Sequence, residues 1–180
     1  TGIGYLITFC TKKYFSKKGL SDEYRNTLIH NLLKKGEINR ITGGIYTFKT
    51  DPNVIAFAFY PSYFGLQDAL SLKQLWEQET NPVIITARKV RSGPRDIMGT
   101  QAIIRRIAKK MFFGIETIKQ HDLWLPISDN EKTLIDFAHF HEPLNPETLK
   151  ALKKNIDRKK LETYLKKTPK KTAEKVIKCY

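Results

Sequence analysis

The chain has 180 residues, of which 41% are hydrophobic, and its formal net charge is +14. This length and apolar content suffice for one large or two small globular domains. No stretch approaches the roughly 18 consecutive apolar residues of a membrane span, and the amino-terminal residues lack the charged-then-apolar pattern of a secretory signal, so we expect no membrane partner.

The two cysteines, Cys10 and Cys179, lie near opposite ends of the chain and form no CxxC pair. This pattern favours neither a disulfide framework nor a zinc site, and we expect no cofactor and a reducing, cytoplasmic setting. The first residue is Thr1 and not methionine, which indicates a trimmed chain or one whose start is missing.

The positive charge is concentrated at the two ends of the chain. Residues 1–50 hold nine Lys/Arg against three Asp/Glu, residues 51–145 hold eleven of each, and residues 146–180 hold twelve against four. A neutral middle with basic flanks predicts a folded module with two elements that face polyanions.

The first predicted element is a short helix over residues 11–19, with Thr11 as its N-cap and Gly19 as its stop. A second, amphipathic helix is predicted from Asp22, its N-cap, to about Lys35. Gly36 supplies the left-handed conformation that ends such a helix. Its apolar positions recur every three or four residues and predict one buried stripe, formed by Tyr24, Leu28, Ile29, Leu32 and Leu33.

Two β-prone strings, EINRI and IYTFK, follow around a Thr-Gly-Gly turn and predict a hairpin. Two helices joined by a tight turn and followed by a hairpin are typical of a winged helix-turn-helix. Its usual first helix would have to come from TGIGYLIT, residues 1–8, which is too short and too rich in glycine. We therefore expect the first helix to be missing or shortened.

The second helix carries groove-facing chemistry opposite its apolar stripe. Asn26 can bond adenine, the Thr27 methyl can contact thymine, and His30 and Lys34 can reach phosphates or guanine edges. An ordinary surface role for His30 fits the sequence equally well. Arg25 falls within the apolar stripe by angle and is interpreted as a packing or phosphate residue.

Further contacts to duplex DNA are predicted from the elements on either side of this helix. The wing would add Arg40 and the backbone around Thr42 and Gly43, and Lys12 and Lys13 would meet phosphates from the preceding helix. If the protein binds as two copies, its operator is an inverted repeat.

After the wing, the sequence predicts an α+β unit with a mixed, mostly antiparallel sheet and C-terminal helices. NVIAFAFY, residues 53–60, is predicted as a buried strand, and PSYFGLQDALSLKQLW as the start of a helix whose core-facing residues are Phe64, Ala69, Leu72 and Leu75. The further strand candidates are PVIITA, QAIIRRIA, FFGIETIKQH and DLWLPI. We place the domain boundary at residue 50, with domains at 1–50 and 51–180.

Three helices are predicted after the sheet. The first is SDNEKTLIDFAHF, capped by Ser128 or Asp129. The second is NPETLKALKKNI, with Asn145 as N-cap and Pro146 at the first position, and the third is TPKKTAEKVIKCY. The last two lie in a basic helical tail, residues 146–180. Its lysines face a partner protein or another polyanion, or they are only a solvated face: Lys153, Lys154, Lys159, Lys160, Lys170 and Lys171.

Several of these segments, in this order, resemble the AbiEi-type antitoxin and transcriptional-regulator family of type IV toxin-antitoxin systems. They are LLKKGEINRITGGIYTF, NVIAF, PSYFGLQDAL, TARK, a Phe-Gly-Ile strand and ISDNEKTLIDF. The resemblance implies that an N-terminal winged helix binds operator DNA and represses its own operon. It also implies that the C-terminal domain counteracts a nucleotidyltransferase-like toxin encoded alongside, in a phage-defence setting, and it supplies no catalytic residues.

Enzymatic readings have weaker support in the sequence. His139, His141 and Glu142, with His121, Asp122 and Asp136 elsewhere, would be ligands of a metal site, but a plain helix end explains AHFHE more simply.

Asp129, Glu131 and Lys132 resemble a metal-dependent nuclease centre but fit helix capping better. We therefore expect no enzyme. The alternatives are a metal-dependent nuclease targeted by a winged helix, and an orphan regulator or RNA-binding protein. The basic loop around Gly93-Pro94 binds nucleic acid or a partner, or is a solvated hairpin.

Overall fold

The computed structural model describes residues 9–11, 19, 21–78 and 80–180. Among them are nine strands: β1 Phe9–Thr11, β2 Asn39–Thr42, β3 Ile45–Thr47, β4 Ser62–Phe64, β5 Val83–Thr86, β6 Gly93–Ile97, β7 Thr100–Arg106, β8 Ile115–Gln120 and β9 Leu123–Ser128. The α-helices of the same residues are α1 Asp22–Lys34, α2 Ile55–Ala58, α3 Leu66–Leu72, α4 Asn130–Phe140, α5 Pro146–Lys154, α6 Arg158–Leu165 and α7 Lys170–Cys179. Short 3₁₀ turns occupy Pro52–Val54 and Lys109–Met111.

The N-terminal part combines α1 with a small antiparallel sheet in the order β1-β3-β2. The predicted hairpin is present, with Asn39 opposite Thr47 and Thr42 opposite Ile45. Ile29 of α1 packs with Ile38 and Tyr46 in a small core of its own.

The larger sheet has six strands in the order β6-β7-β5-β4-β9-β8. Its β4–β5, β6–β7 and β8–β9 pairs are antiparallel, and its β5–β7 and β4–β9 pairs are parallel. The prediction of an α+β fold with a mixed, mostly antiparallel sheet and C-terminal helices is therefore confirmed.

Each face of the six-stranded sheet has its own hydrophobic core, because adjacent residues of a strand point to opposite faces. Phe64 of β4 belongs to one core, which also takes Ile55 of α2 and Ile41 of the hairpin. Tyr63 belongs to the other core, which is covered by the helical layer through Leu134, Leu152, Leu161 and Val176.

The strand predicted for residues 53–60 is wrong. Residues Pro52–Val54 form a 3₁₀ turn that continues into α2. The Asp51 carboxylate accepts a hydrogen bond from the Asn53 amide at 2.8 Å, and Pro52 occupies the first position, so this segment begins as a helix does. Its uninterrupted apolar run resembles a buried strand because α2 is buried on nearly all sides.

The helix predicted from PSYF onward begins later than expected. Ser62, Tyr63 and Phe64 form β4, and α3 starts at Leu66. Gly65 separates the two elements, and a Cβ on it would lie 2.3 Å from Ile85 Cδ1. A side chain at this position would therefore have to displace the side chain of Ile85, which packs against the glycine.

Other boundaries also differ from the sequence predictions. Thr11, predicted as the N-cap of a helix, is the last residue of β1 and pairs with Ile45; residues 12–18 of that predicted helix lie outside the described residues. The segment around Gly93-Pro94 is strand β6 of the β6–β7 hairpin. In the described part of the chain, no helix is long and apolar enough to cross a membrane.

Candidate nucleic-acid interface

Helix α1 is fixed at both ends by local hydrogen bonds. Ser21, and not Asp22 as predicted, is the N-cap, and its hydroxyl accepts a hydrogen bond from the Tyr24 amide at 3.3 Å. Asp22 instead forms an ion pair with Arg25 at 2.8 Å. Gly36 has a φ of +70°, so the predicted left-handed stop is confirmed.

The buried face of α1 differs in one position from the predicted stripe. Ile29 is buried, and Leu28, Leu32 and Leu33 are half-buried against the small core. Arg25 is also buried. Of its two predicted roles, packing and phosphate contact, this burial favours packing. Tyr24, however, is 58% exposed and so lies outside the buried face.

The side chains predicted to face a DNA groove share the exposed surface of α1. Asn26, Thr27, His30 and Lys34 are all exposed. The Thr27 hydroxyl donates to the Glu23 carbonyl oxygen at 3.0 Å. This local bond leaves the Thr27 methyl as the group available for an external contact.

The hairpin places a second set of predicted contacts next to α1. Arg40 and Gly43 are exposed, Thr42 is half-buried, and Gly44 has the φ of +78° that the tight turn needs. Lys12 and Lys13, which the sequence assigns to phosphate contacts, lie outside the described residues.

The predicted tail lysines divide into two groups. Lys154, Lys159, Lys170 and Lys171 are exposed and Lys153 is half-buried. Lys160 instead forms ion pairs with Asp129 at 3.0 Å and Glu131 at 2.9 Å. Burial lowers the pKa of Lys160, but its hydrogen bonds to Glu131 and Asp129 outweigh that effect and the net shift is upward. Lys160 therefore joins α6 to the start of α4, while 41% of its side chain remains exposed.

The carboxylates considered for a nuclease centre are engaged within the protein. Asp129 is the N-cap of α4, accepting from the Lys132 amide and from the Tyr164 hydroxyl, each at 2.8 Å. Burial and the hydrogen bond to Asp129 raise the pKa of Tyr164 to about 12. Glu131 accepts from the Asp157 amide at 2.7 Å in addition to its ion pair with Lys160.

The histidines near the end of α4 are directed to separate partners. His139 Nδ1 lies 3.4 Å from the Thr172 hydroxyl, His141 Nδ1 lies 2.6 Å from Lys175 Nζ, and Glu142 forms an ion pair with Arg105. His141 has a φ of +59° and ends the helix, as the simpler interpretation of AHFHE predicts. No three His, Cys, Asp or Glu side chains come together to hold a metal ion in the residues that the structure describes.

A polar cluster inside the helix-covered core is absent from the sequence predictions. Lys132 is fully buried and forms an ion pair with the fully buried Asp136, which also accepts a hydrogen bond from the Tyr63 hydroxyl at 2.9 Å. The Lys132 ammonium lies 5.2 Å from the centre of the Phe113 ring. Its sequence signal is weak: a Lys–Asp pair at i and i+4 is common on exposed helix faces.

Comparison with known proteins identifies a fold and no family. No protein-family model matches the chain, and a search of the curated proteins gives no match. Among solved structures, the fold is similar to that of the RV2827C protein from Mycobacterium tuberculosis, with a TM-score of 0.62 and 13% sequence identity. That match covers 96% of this chain and 72% of the other.

Proposed function

We propose that this protein is a DNA-binding transcriptional repressor that also acts as the antitoxin of a toxin-antitoxin system in the cytoplasm. The observation that carries the DNA-binding part is the arrangement of α1 beside a three-stranded sheet in the order β1-β3-β2. In a winged helix, a short strand ahead of the helix pair joins the wing hairpin as a third antiparallel strand. The order seen here supports a winged helix whose recognition helix is α1.

In this proposal α1 enters the major groove and the hairpin lies along the backbone. The exposed surface of α1 supplies groups that can bond base edges, while Arg40 and the amide of Gly43 reach phosphates. Gly43 suits this role because no atom lies within 4 Å of where its Cβ would be, so a strand of DNA could approach the backbone closely.

The antitoxin part is supported by the resemblance to the AbiEi-type family and by the exposed lysines of the tail. The unit from residue 51 to residue 180 would counteract a nucleotidyltransferase-like toxin, either directly or through a nucleic acid that the toxin uses. The positive charge of the tail favours the second route.

We propose no catalytic activity for the chain. Asp129 and Glu131, the carboxylates nearest to a nuclease pattern, are paired with Lys160, which supports a structural role for them. A cleavage assay with Mg²⁺ or Mn²⁺ and duplex DNA tests the nuclease alternative, and we expect no products.

The DNA-binding proposal is tested by titrating the intact chain with duplex DNA recovered from a random library, at several salt concentrations. We expect the logarithm of the affinity to fall steeply with the logarithm of the salt concentration, because phosphate contacts release counterions. Arg40→Ala should weaken binding to all duplexes alike and reduce the salt slope by about one unit. Recovery of no preferred duplex, or an affinity independent of salt, would contradict the proposal.

A further inference from the structure

The exposed surface of α1 has two edges that differ in chemistry. With about 100° between successive residues, Thr27 and Lys34 lie opposite Ile29 and its neighbours, at the centre of the exposed surface. Glu23, His30 and Asn26 lie on one side of this centre. Tyr24 and Asn31 lie on the other side, about 20° apart from each other.

Charge distinguishes these two edges. Glu23 is exposed on the edge that carries His30 and Asn26, and its carboxylate would repel the phosphates that flank a DNA groove. On the edge of Tyr24 and Asn31, α1 carries no acidic residue. A duplex would therefore approach α1 on the side of Tyr24 and Asn31.

Tyr24 has the exposure and position that a groove contact requires. Its side chain is 58% exposed and lies in the first turn of α1. The hydrogen bond from its amide to Ser21 Oγ fixes that turn. In helix-turn-helix proteins, the N-terminal residues of the recognition helix contact base edges.

We infer that Tyr24 and Asn31, with Thr27 between them, form the base-reading stripe of the DNA interface. The Asn31 amide would bond one adenine through both its donor and its acceptor, and the Tyr24 ring, about two helical turns or roughly 10 Å away along α1, would contact a thymine methyl group. Lys34 would meet an adjacent phosphate. This inference rests on the proposed DNA binding, and it assigns the reading of adenine to Asn31 in place of Asn26.

The two asparagines provide a matched experiment, since both are exposed on the same helix and differ in the edge they occupy. The duplex most enriched from a random library by the intact wild-type chain is compared with a scrambled duplex of equal length. Asn31→Ala and Tyr24→Ala should each weaken binding to the enriched duplex by roughly 5- to 150-fold. The affinity of these two variants for the scrambled duplex should change less than twofold. The affinity of Asn26→Ala should change less than twofold for the enriched duplex and for the scrambled duplex. Circular dichroism confirms that each variant remains folded.

The possible outcomes distinguish a failure of this inference from a failure of the proposed DNA binding. If the wild-type chain enriches no duplex, the proposed DNA binding fails and the inference falls with it. If the wild-type chain is selective but Asn26→Ala is the variant that loses selectivity, DNA binding stands and the assignment of the edge is overturned. An equal loss on both duplexes for Asn31→Ala would likewise remove Asn31 from base reading.

Discussion

At the scale of single residues, the core beneath the helices depends on polar groups that satisfy one another. Burial raises the pKa of Asp136 and of Tyr63, but the Lys132 ammonium and the hydrogen bond between those two groups keep all three side chains paired. A buried carboxylate without such partners would cost several kcal/mol. The cluster also joins two segments on which the family resemblance rests, since Tyr63 lies in PSYFGLQDAL and Lys132 and Asp136 lie in DNEKTLIDF.

Gly114 is a position at which this core leaves no room for a side chain. Its φ is +67°, and a Cβ would lie 2.8 Å from both Lys132 Cβ and Tyr164 Cε2. Gly114→Ala should therefore lower the free energy of unfolding by roughly 2 to 5 kcal/mol, from backbone strain and steric overlap together.

Gly99→Ala is the matched control for that substitution. Gly99 has a φ of +74° with no atom within 4 Å of where its Cβ would be, so only the backbone strain of about 1 to 2 kcal/mol applies. Both losses are measured by urea denaturation. Equal losses for the two variants would show that the packing around Gly114 is looser than described.

Asp68 makes the stability of the protein depend on pH. Burial is the largest influence on this carboxyl group and raises its pKa to about 7, against opposing hydrogen bonds from the Val83 amide and the Thr80 side chain. Because the folded state favours the protonated form, the contribution of Asp68 to stability declines as the pH rises between about 4 and 7 and is constant above that. Asp68→Asn should therefore gain stability relative to the wild type over this interval. The check is to measure the urea midpoints of the wild type and of Asp68→Asn at pH 4.5 and at pH 8. If the difference between the two proteins is the same at both pH values, the prediction is refuted.

At the scale of elements, end signals in the sequence predicted helices well. Asp129 as a cap of α4, Asn145 and Pro146 at the start of α5, and Gly36 after α1 all act as predicted. These signals are local, because a cap bonds an amide two or three residues away. The hairpin β2–β3 was predictable for the same reason, since its turn residues determine its geometry.

Elements whose identity depends on tertiary burial were not predictable in this way. Residues 53–60 are apolar on all sides, and periodicity cannot distinguish a buried helix from a buried strand there. The brief β4 became visible only through its pairing with β5 and β9. In the candidate site, exposed positions such as Asn26 followed from helical spacing. The exposure of Tyr24 and the ion pairs of Lys160 did not, because both depend on which neighbouring element packs nearby.

At the scale of the whole molecule, the hairpin connects the two proposed units. Ile41 is buried in the core that includes Val54 and Ile55, and Ile45 packs against the same core. The hairpin and the segment after residue 50 therefore share one hydrophobic core, and the predicted boundary at residue 50 runs through the chain between residues that pack together.

We predict that residues 51–180 fold without the N-terminal part and keep the antitoxin role. This fragment should protect cells from a nucleotidyltransferase-like toxin encoded beside the gene, while showing no preference among duplexes. Reversing the charge of the tail lysines other than Lys160 should abolish protection: Lys153, Lys154, Lys159, Lys170 and Lys171. Lys160 is left unchanged because it holds Asp129 and Glu131.

Growth under toxin induction is the measurement for this prediction, with circular dichroism to show that each fragment is folded. Full protection by the charge-reversed fragment would show that the tail is only a solvated face. Failure of the folded, unaltered fragment to protect would refute the division into two functions.

The central claim, that α1 and the hairpin form the DNA-binding surface, is tested most directly by hydrogen exchange of the intact chain with and without the enriched duplex. The exchange is measured in a tenfold excess of scrambled competitor duplex. We expect the enriched duplex to slow amide exchange in residues 22–47 and to leave residues 146–180 unchanged. Slower exchange confined to residues 146–180 would place the DNA on the basic tail and contradict the claim.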